Sequence, residues 1–432
     1  MLDRFLPSSC VIFFVALASS AAAGDTILFL RGGPGSGGFL GGGSDTHLSD
    51  VNDPSQNPGN TGWFELRLLL EGEGYTVQQV LEGPGGSSPI DLAALDLSDV
   101  AVIVFGSNNA PYPGPAADLL AEWVCGGGAA LFISDANWGS NWGDAPSSDQ
   151  PFLDHFDLVM NQDLGTYTLT RAGGDFVIGG VDRGTHPILA GPDGQVGTGD
   201  DVDSFDGEGV SPLTLATLLP GVDPIVLAKA KGNVRRNDAP GAGSITPAAV
   251  DDGALVVLEY GGGRVAGHFD RNTFFNVNGA GTSLHNNDNA QYAKNLFAWL
   301  AAAPGGAYGD GCVGAGGFVP RLALDGCPRP GAAVTLELDE ALGGSTALLL
   351  FGTGKAATPL PWGCSLLVAP VLPVTPALPL AGVGPGQGDV AVPVTLPANV
   401  APATVTLQSF VADPAAGGGG LASSNGLEVR VF

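Results

Sequence analysis

Residues 99–133 read DVAVIVFGSNNAPYPGPAADLLAEWVCGGGAALFI, and three consecutive signals in them decide the fold. Val100 to Phe105 is a continuous apolar run stopped by Gly106. A run with no polar alternation is buried on both faces, as a parallel strand is. Pro115 then opens a helix, at a position where its missing N–H costs nothing. Leu119, Leu120, Trp123 and Val124 share the inner face of that helix, and Gly126-Gly127-Gly128 ends it. Glycine is the residue that tolerates the left-handed conformation past a helix end. Ala130 to Ile133 is a second buried strand. Strand, helix and strand in this order form a βαβ unit of a parallel sheet.

The same pattern extends outward. Upstream, Thr26 to Leu30 and Thr76 to Leu81 read as strands, and Trp63, Leu66, Leu69 and Leu70 lie on one face of a helix between them. The glycine-rich stretch Gly32 to Gly43 lacks the Lys-Ser/Thr of a phosphate-binding loop and reads as a surface loop. Downstream, residues 144–253 are looser, with Thr166 to Thr170, Phe176 to Ile178 and Ile225 to Ala228 as the strand-like runs. Ala254 to Tyr260 and Arg264 to His268 flank three glycines and predict a hairpin. Ala290, Ala293, Leu296, Phe297 and Leu300 then mark an amphipathic helix capped by Asp288 or Asn289. Beyond Pro304 the helical period disappears. Val334 to Leu338, Ala347 to Phe351, Ser365 to Ala369, Val390 to Leu396 and Thr404 to Phe410 are short β-prone runs divided by Gly and Pro turns. That spacing predicts an antiparallel sandwich. The expected organisation is an export signal over 1–23, an α/β domain over 24–303 and a β-sandwich domain over 304–432.

Composition limits the partners. The 432 residues carry 16 Lys+Arg against 43 Asp+Glu, a net charge of −27. Such a surface repels phosphate backbones and anionic headgroups, which argues against nucleic acid and membrane surfaces. Neutral or cationic ligands and divalent metals stay open. The apolar run Val11 to Leu17 is too short to span a bilayer, and Ala21-Ala22-Ala23 fits a signal-peptidase site before Gly24. A secreted location (periplasm, cell surface or outside the cell) follows as an expectation, with no membrane insertion after signal removal. Four cysteines then remain, and an exported chain can pair them in three ways. Cys312 and Cys364, each preceded by Gly, are the preferred disulfide. Cys125, at a helix end, reads as a small buried residue.

The run Asp99 to Val104, the helix ending in Gly126-Gly127-Gly128 with its following strand, His186-Pro187-Ile188, and Gly263-Arg264-Val265 leading to Trp299-Leu300 together resemble the class I glutamine amidotransferase-like fold, in its trehalose-utilisation-like branch. The resemblance covers about two-thirds of the chain. It implies a flavodoxin-like parallel sheet with helices on both faces. Tyr308-Gly309-Asp310-Gly311-Cys312 and Ser424-Asn425-Gly426-Leu427 resemble the C-terminal β-domain of exported planctomycete proteins. In amidotransferases a cysteine occupies the turn that here reads Ser134-Asp135-Ala136-Asn137, so thioester chemistry on glutamine is not expected. His268-Phe269-Asp270 keeps a histidine and a carboxylate two residues apart.

Two constellations follow. Ser134 or Asp135 with His268 and Asp270 is the candidate catalytic set, although the Gly-x-Ser-x-Gly elbow is absent. Asp135, Asn137, Trp138, Trp142, His268, Asp270, Arg271 and Asn272 are the candidate ligand-binding set, because ligands of open parallel sheets bind beyond the carboxyl ends of the strands. Trp with Asn, Asp and Arg suits a sugar, whose ring face stacks while its hydroxyls take bidentate bonds. Asp193, Asp200, Asp201, Asp203 and Asp206 are candidate Ca²⁺ ligands, against the alternative of a solvated acidic loop. Three functional classes stay open: an exported binding protein for carbohydrate or a small polar ligand, a hydrolase, and a structural surface protein with a vestigial site.

Overall fold

The structure is a computed structural model that describes residues 26–33, 49–54, 62–107, 110–133, 145–161, 165–208, 211–216, 218–219, 222–236, 244–277, 282–302, 306–417 and 419–431. The sequence-predicted strands and helices of the βαβ region form where expected: β1 (Thr26–Arg31), α1 (Phe64–Gly72), β2 (Thr76–Leu81), β3 (Val100–Ser107), α2 (Gly114–Cys125) and β4 (Ala129–Ile133). All six residues of β1 and all five of β4 are buried, which is why their sequences are unbroken apolar runs. β2, at the sheet edge, is half exposed and accordingly carries two glutamines.

The parallel part of the main sheet runs β2, β1, β3, β4 and then the strand Gly263–His268. This 2-1-3-4-5 order is that of a flavodoxin-like doubly wound sheet. α1 and α5 (Asn289–Ala301) cover one face through Leu66, Leu70, Tyr292, Leu296 and Phe297. α2 and α3 (Ala145–Leu153) cover the other through Leu120, Val124 and Phe152. Gly127 ends α2 with φ +122°, and Gly263 starts the fifth strand so close to α2 that an added Cβ would stand 1.9 Å from the Val124 carbonyl oxygen. A methyl group has no room there.

The sheet is not parallel throughout, which corrects the expectation. Beyond Gly263–His268 it continues through the antiparallel strand Asp252–Tyr260, which pairs on its far side with Ile225–Lys229 and with Leu213–Leu215, the latter followed by Leu158–Met160. The cause is local. The hairpin closes through Gly261 and Gly262 alone, and a two-residue connection can only reverse the chain. The added outer strands include two of three residues, too short to leave a periodic signal. Pro187–Ala190 forms a single-turn α4 whose N-cap is His186.

The carboxy-terminal region is all-β. A five-stranded sheet (Ala307–Tyr308, Leu421–Val431, Ala403–Ala412, Thr346–Gly352, Ala377–Pro379) and a three-stranded one (Arg321–Asp325, Ala333–Gly343, Gly384–Thr395) enclose a separate core of Leu322, Leu336, Leu338, Leu349, Leu407 and Val411. Alternation of buried and exposed residues along Ala333–Gly343 is the period-2 signature of such a strand. The sequence reading missed Leu421–Val431, whose Ser-Ser-Asn-Gly centre is polar yet buried along much of its length.

Cys312 and Cys364 are bonded, as the sequence suggested. Cys125 is not a free buried thiol: it is bonded to Cys327, 202 residues away. The bond fastens the end of α2 to the all-β region, and Glu122 and Arg329 form an ion pair across the same seam.

Candidate functional site

Charged groups that are nearly or wholly buried gather at the carboxyl ends of the parallel strands. Arg31 closes β1 and is 3.2 Å from Asp50, which also accepts from Gln79 of β2 at 3.1 Å. Glu82, just past β2, accepts from the Ala110 N–H at 3.1 Å. The fifth strand runs straight into His268-Phe269-Asp270-Arg271-Asn272, every residue of which is buried. Trp63, packed edge-on against Phe29 and Phe274, donates its indole N–H to the Arg271 carbonyl at 3.2 Å. Ile133 of β4 pairs with His268, so β4 and the fifth strand end level.

Asp270 organises the loop below it. One carboxylate oxygen accepts from the Glu208 N–H at 2.6 Å and the other from the Asn272 N–H at 3.0 Å. Asn272 returns a bond to the Glu208 carbonyl at 3.4 Å. Glu208 is the residue the sequence reading missed. One of its carboxylate oxygens is buried with no partner among the described residues, and burial pushes its carboxyl up. It stands two residues beyond Asp206, the last acid considered as a metal ligand, and only the approach of the Asp270 loop marks it as part of this site.

His268 is placed differently from the expectation. It is fully buried, between Phe274 and Tyr292 and edge-on to Phe269. Its Nε2 is 3.0 Å from the Thr273 hydroxyl, which itself donates to the Asp206 carbonyl at 2.8 Å. Thr273 has therefore spent its proton and must accept from His268, which fixes the Nε2–H tautomer. The bare Nδ1 accepts from the Tyr292 hydroxyl at 2.9 Å. Burial holds the imidazole neutral and pushes its pKa down to about 3, with a backbone bond at Asp270 pulling weakly the other way. With both nitrogens taken by hydroxyls, His268 does not act as a base held by Asp270. The catalytic set proposed from sequence loses its centre. Ser134, Asp135, Asn137, Trp138 and Trp142 lie outside the described residues.

The acidic stretch is also used internally. Asp206 accepts from the side chains of Asn289 at 2.8 Å, Asn287 at 2.9 Å and Thr282. Asp203 pairs with Arg171 at 3.3 Å. Asp201 accepts from the Thr198 N–H at 2.9 Å, Asp200 from the Thr198 hydroxyl at 2.6 Å, and Asp193 from the Gln195 N–H at 2.8 Å. Among the described residues no three such side chains converge on one point. Asp288, one of the two expected caps of α5, makes no side-chain cap bond and instead accepts from the Asp203 and Ser204 N–H groups, both at 2.9 Å.

The buried histidines predict acid sensitivity. His186 is pushed down to about 4 by burial, then by Arg264 and Arg183, and His268 to about 3. Both values lie below the 6.5 of an unfolded histidine, so the unfolded chain binds more protons. The contribution of His268 is complete above about pH 6.5 and falls by about 1.4 kcal/mol per pH unit below it. The gap in urea midpoint between wild type and His268→Gln should narrow from pH 7 to pH 5. A constant gap would show that His268 does not titrate as described.

A scan against protein-family models and a search of curated proteins found no match. Solved structures similar to the chain include the mmIFT52 N-terminal domain (12% identity, 64% of this chain, 98% of that one, TM-score 0.37). They also include a putative ThuA-like protein from Parabacteroides merdae (12% identity, 64% and 90%, TM-score 0.35). A chitin binding domain from Burkholderia pseudomallei is similar over less of the chain (11% identity, 37% and 70%, TM-score 0.16). At these scores the likenesses add nothing to what strand order and register establish.

Proposed function

We propose that this chain is an exported binding protein, built on an amidotransferase-like α/β scaffold without the nucleophile, that takes a hydroxyl-rich ligand at the carboxyl edge of its parallel strands. The observation that carries the reading is the concentration of buried charge there: Arg31, Glu82, Asp270 and Arg271 close or follow three of the five parallel strands. Fixed dipoles and charges at a strand edge cost stability and are retained where a ligand uses them. On the sequence reading, Asn137, Asp270, Arg271 and Asn272 would take the ligand's hydroxyls and Trp138 and Trp142 would supply the stacking face. Two disulfides support an oxidising compartment. The hydrolytic alternative is disfavoured by the neutral, doubly bonded His268.

Trp138→Ala and Trp142→Ala should each weaken affinity for a retained glycan at least tenfold while leaving the melting temperature within a degree or two. Unchanged affinity in both variants would refute the rim as the site. Release of reducing ends by the wild-type protein, lost in Asp135→Asn, would favour hydrolysis instead.

A further inference from the structure

Several polar groups at the end of the fifth strand are already used by the protein itself. Both carboxylate oxygens of Asp270 accept backbone N–H groups, and both nitrogens of His268 face hydroxyls. Two side chains beside them are different. Glu208 has one carboxylate oxygen buried with no partner among the described residues, while the side chain as a whole is half-buried and reachable from outside. Ser211, three residues on, is 0% exposed, and its hydroxyl likewise has no partner among the described residues. Both residues are fixed to consecutive positions of the strand end. The Glu208 N–H donates to Asp270 at 2.6 Å and the Ser211 N–H to the Phe269 carbonyl at 2.7 Å. The approach is close: a Cβ on Gly207 would stand 2.7 Å from the Asp270 Oδ2. Buried polar groups in folded proteins are ordinarily paired, so two unpaired ones on one short segment mark a place for a partner that the chain does not supply.

Charge selects that partner. No basic side chain among the described residues pairs with Glu208, and burial, with no cation to offset it, pushes its carboxyl up. Asp206, two residues earlier, is held by the neutral donors Asn287, Asn289 and Thr282, so it brings no cation to the segment either. A neutral hydroxyl would satisfy the hydrogen bond and leave the charge uncompensated. An ammonium group supplies both, since it carries a full positive charge and three donors, which a carboxylate oxygen and a serine hydroxyl can accept. An anionic ligand would be repelled.

Resting on the rim reading above, we propose that Glu208, with Ser211, receives an ammonium group, and that the hydroxyl-rich ligand is an amino sugar with a free amine. The test is isothermal titration of the intact, disulfide-bonded chain with the linear trimers of glucosamine and of N-acetylglucosamine, which share a backbone and differ in charge. It is run at about pH 6, where a free amine is protonated. The glucosamine trimer should bind at least about fivefold more tightly, as befits a charge-assisted bond. Glu208→Gln keeps the shape and should bring the two affinities together, with a melting temperature equal to or above that of wild type because an uncompensated charge is gone. If Glu208→Gln does not fold, the wild type alone decides: its preference should shrink from low to high sodium chloride. The proposal is overturned if neither trimer binds, if the two bind alike, if the preference survives in folded Glu208→Gln, or if salt leaves it unchanged. Trp138→Ala reports on the rim separately. It should weaken both trimers alike; if it moves neither while Glu208→Gln still removes the preference, the rim reading fails and the assignment of Glu208 stands.

Discussion

Asp252→Ala should destabilise the protein by about 3–5 kcal/mol, the range for removing one partner of a buried ion pair. Asp252 is 0% exposed at the start of the antiparallel strand beside His268. Arg236 grips it with both terminal nitrogens, at 2.5 and 2.8 Å, and the Ala249 N–H and Thr214 hydroxyl complete its shell. Asn161 in turn donates to Thr214 at 2.8 Å, which ties the last two strands of the sheet to the pair. Alanine strands a half-buried guanidinium and leaves the shell's donors without their acceptor. Asp252→Asn keeps the shape and loses only the charge, so it should fall between wild type and alanine. Burial alone would raise the Asp252 carboxyl, but the bonds from Arg236, Ala249 and Thr214 outweigh it and hold it below the usual range. Its stabilisation is therefore present above the ordinary carboxylate pKa and lost as pH falls through the lowered one. Urea midpoints of the three proteins at pH 7 check the order. An alanine variant within 1 kcal/mol of wild type would mean that Asp252 and Arg236 are not paired in solution.

Removing the Cys125–Cys327 bond should cost about 2–5 kcal/mol and change how the molecule unfolds. The bond closes a segment of 202 residues, so its loss releases a large restraint on the unfolded chain. More diagnostic is the shape of the transition. The α/β cores and the all-β core are separate, and ion pairs such as Glu122–Arg329 with exposed partners contribute about 1 kcal/mol or less each. In Cys125→Ser, Cys327→Ser the two regions should melt as two calorimetric transitions, where the wild type couples them. One unshifted transition in the variant would show that an apolar interface, not the disulfide, joins them.

Sequence legibility followed burial. β1, β3 and β4 were readable because a strand covered on both faces must be apolar throughout. α2 was readable because Pro115 and Gly126-Gly127-Gly128 mark its ends chemically. The strands Leu158–Met160 and Leu213–Leu215 were not, since three residues cannot display a period. The position of His268 at the strand end was legible and its state was not. Tyr292, 24 residues later, supplies the hydroxyl that binds its Nδ1. The pairing of Cys125 stayed open because no spacing rule reaches 202 residues. Glu208 joins the site only because Asp270 folds back onto its N–H.

The most direct test of the binding role is retention of the intact chain on a panel of insoluble and immobilised polysaccharides. The account predicts retention on at least one glycan, competed by its soluble form and lost in Trp138→Ala. No retention on any of them would contradict a carbohydrate ligand and favour a structural surface protein.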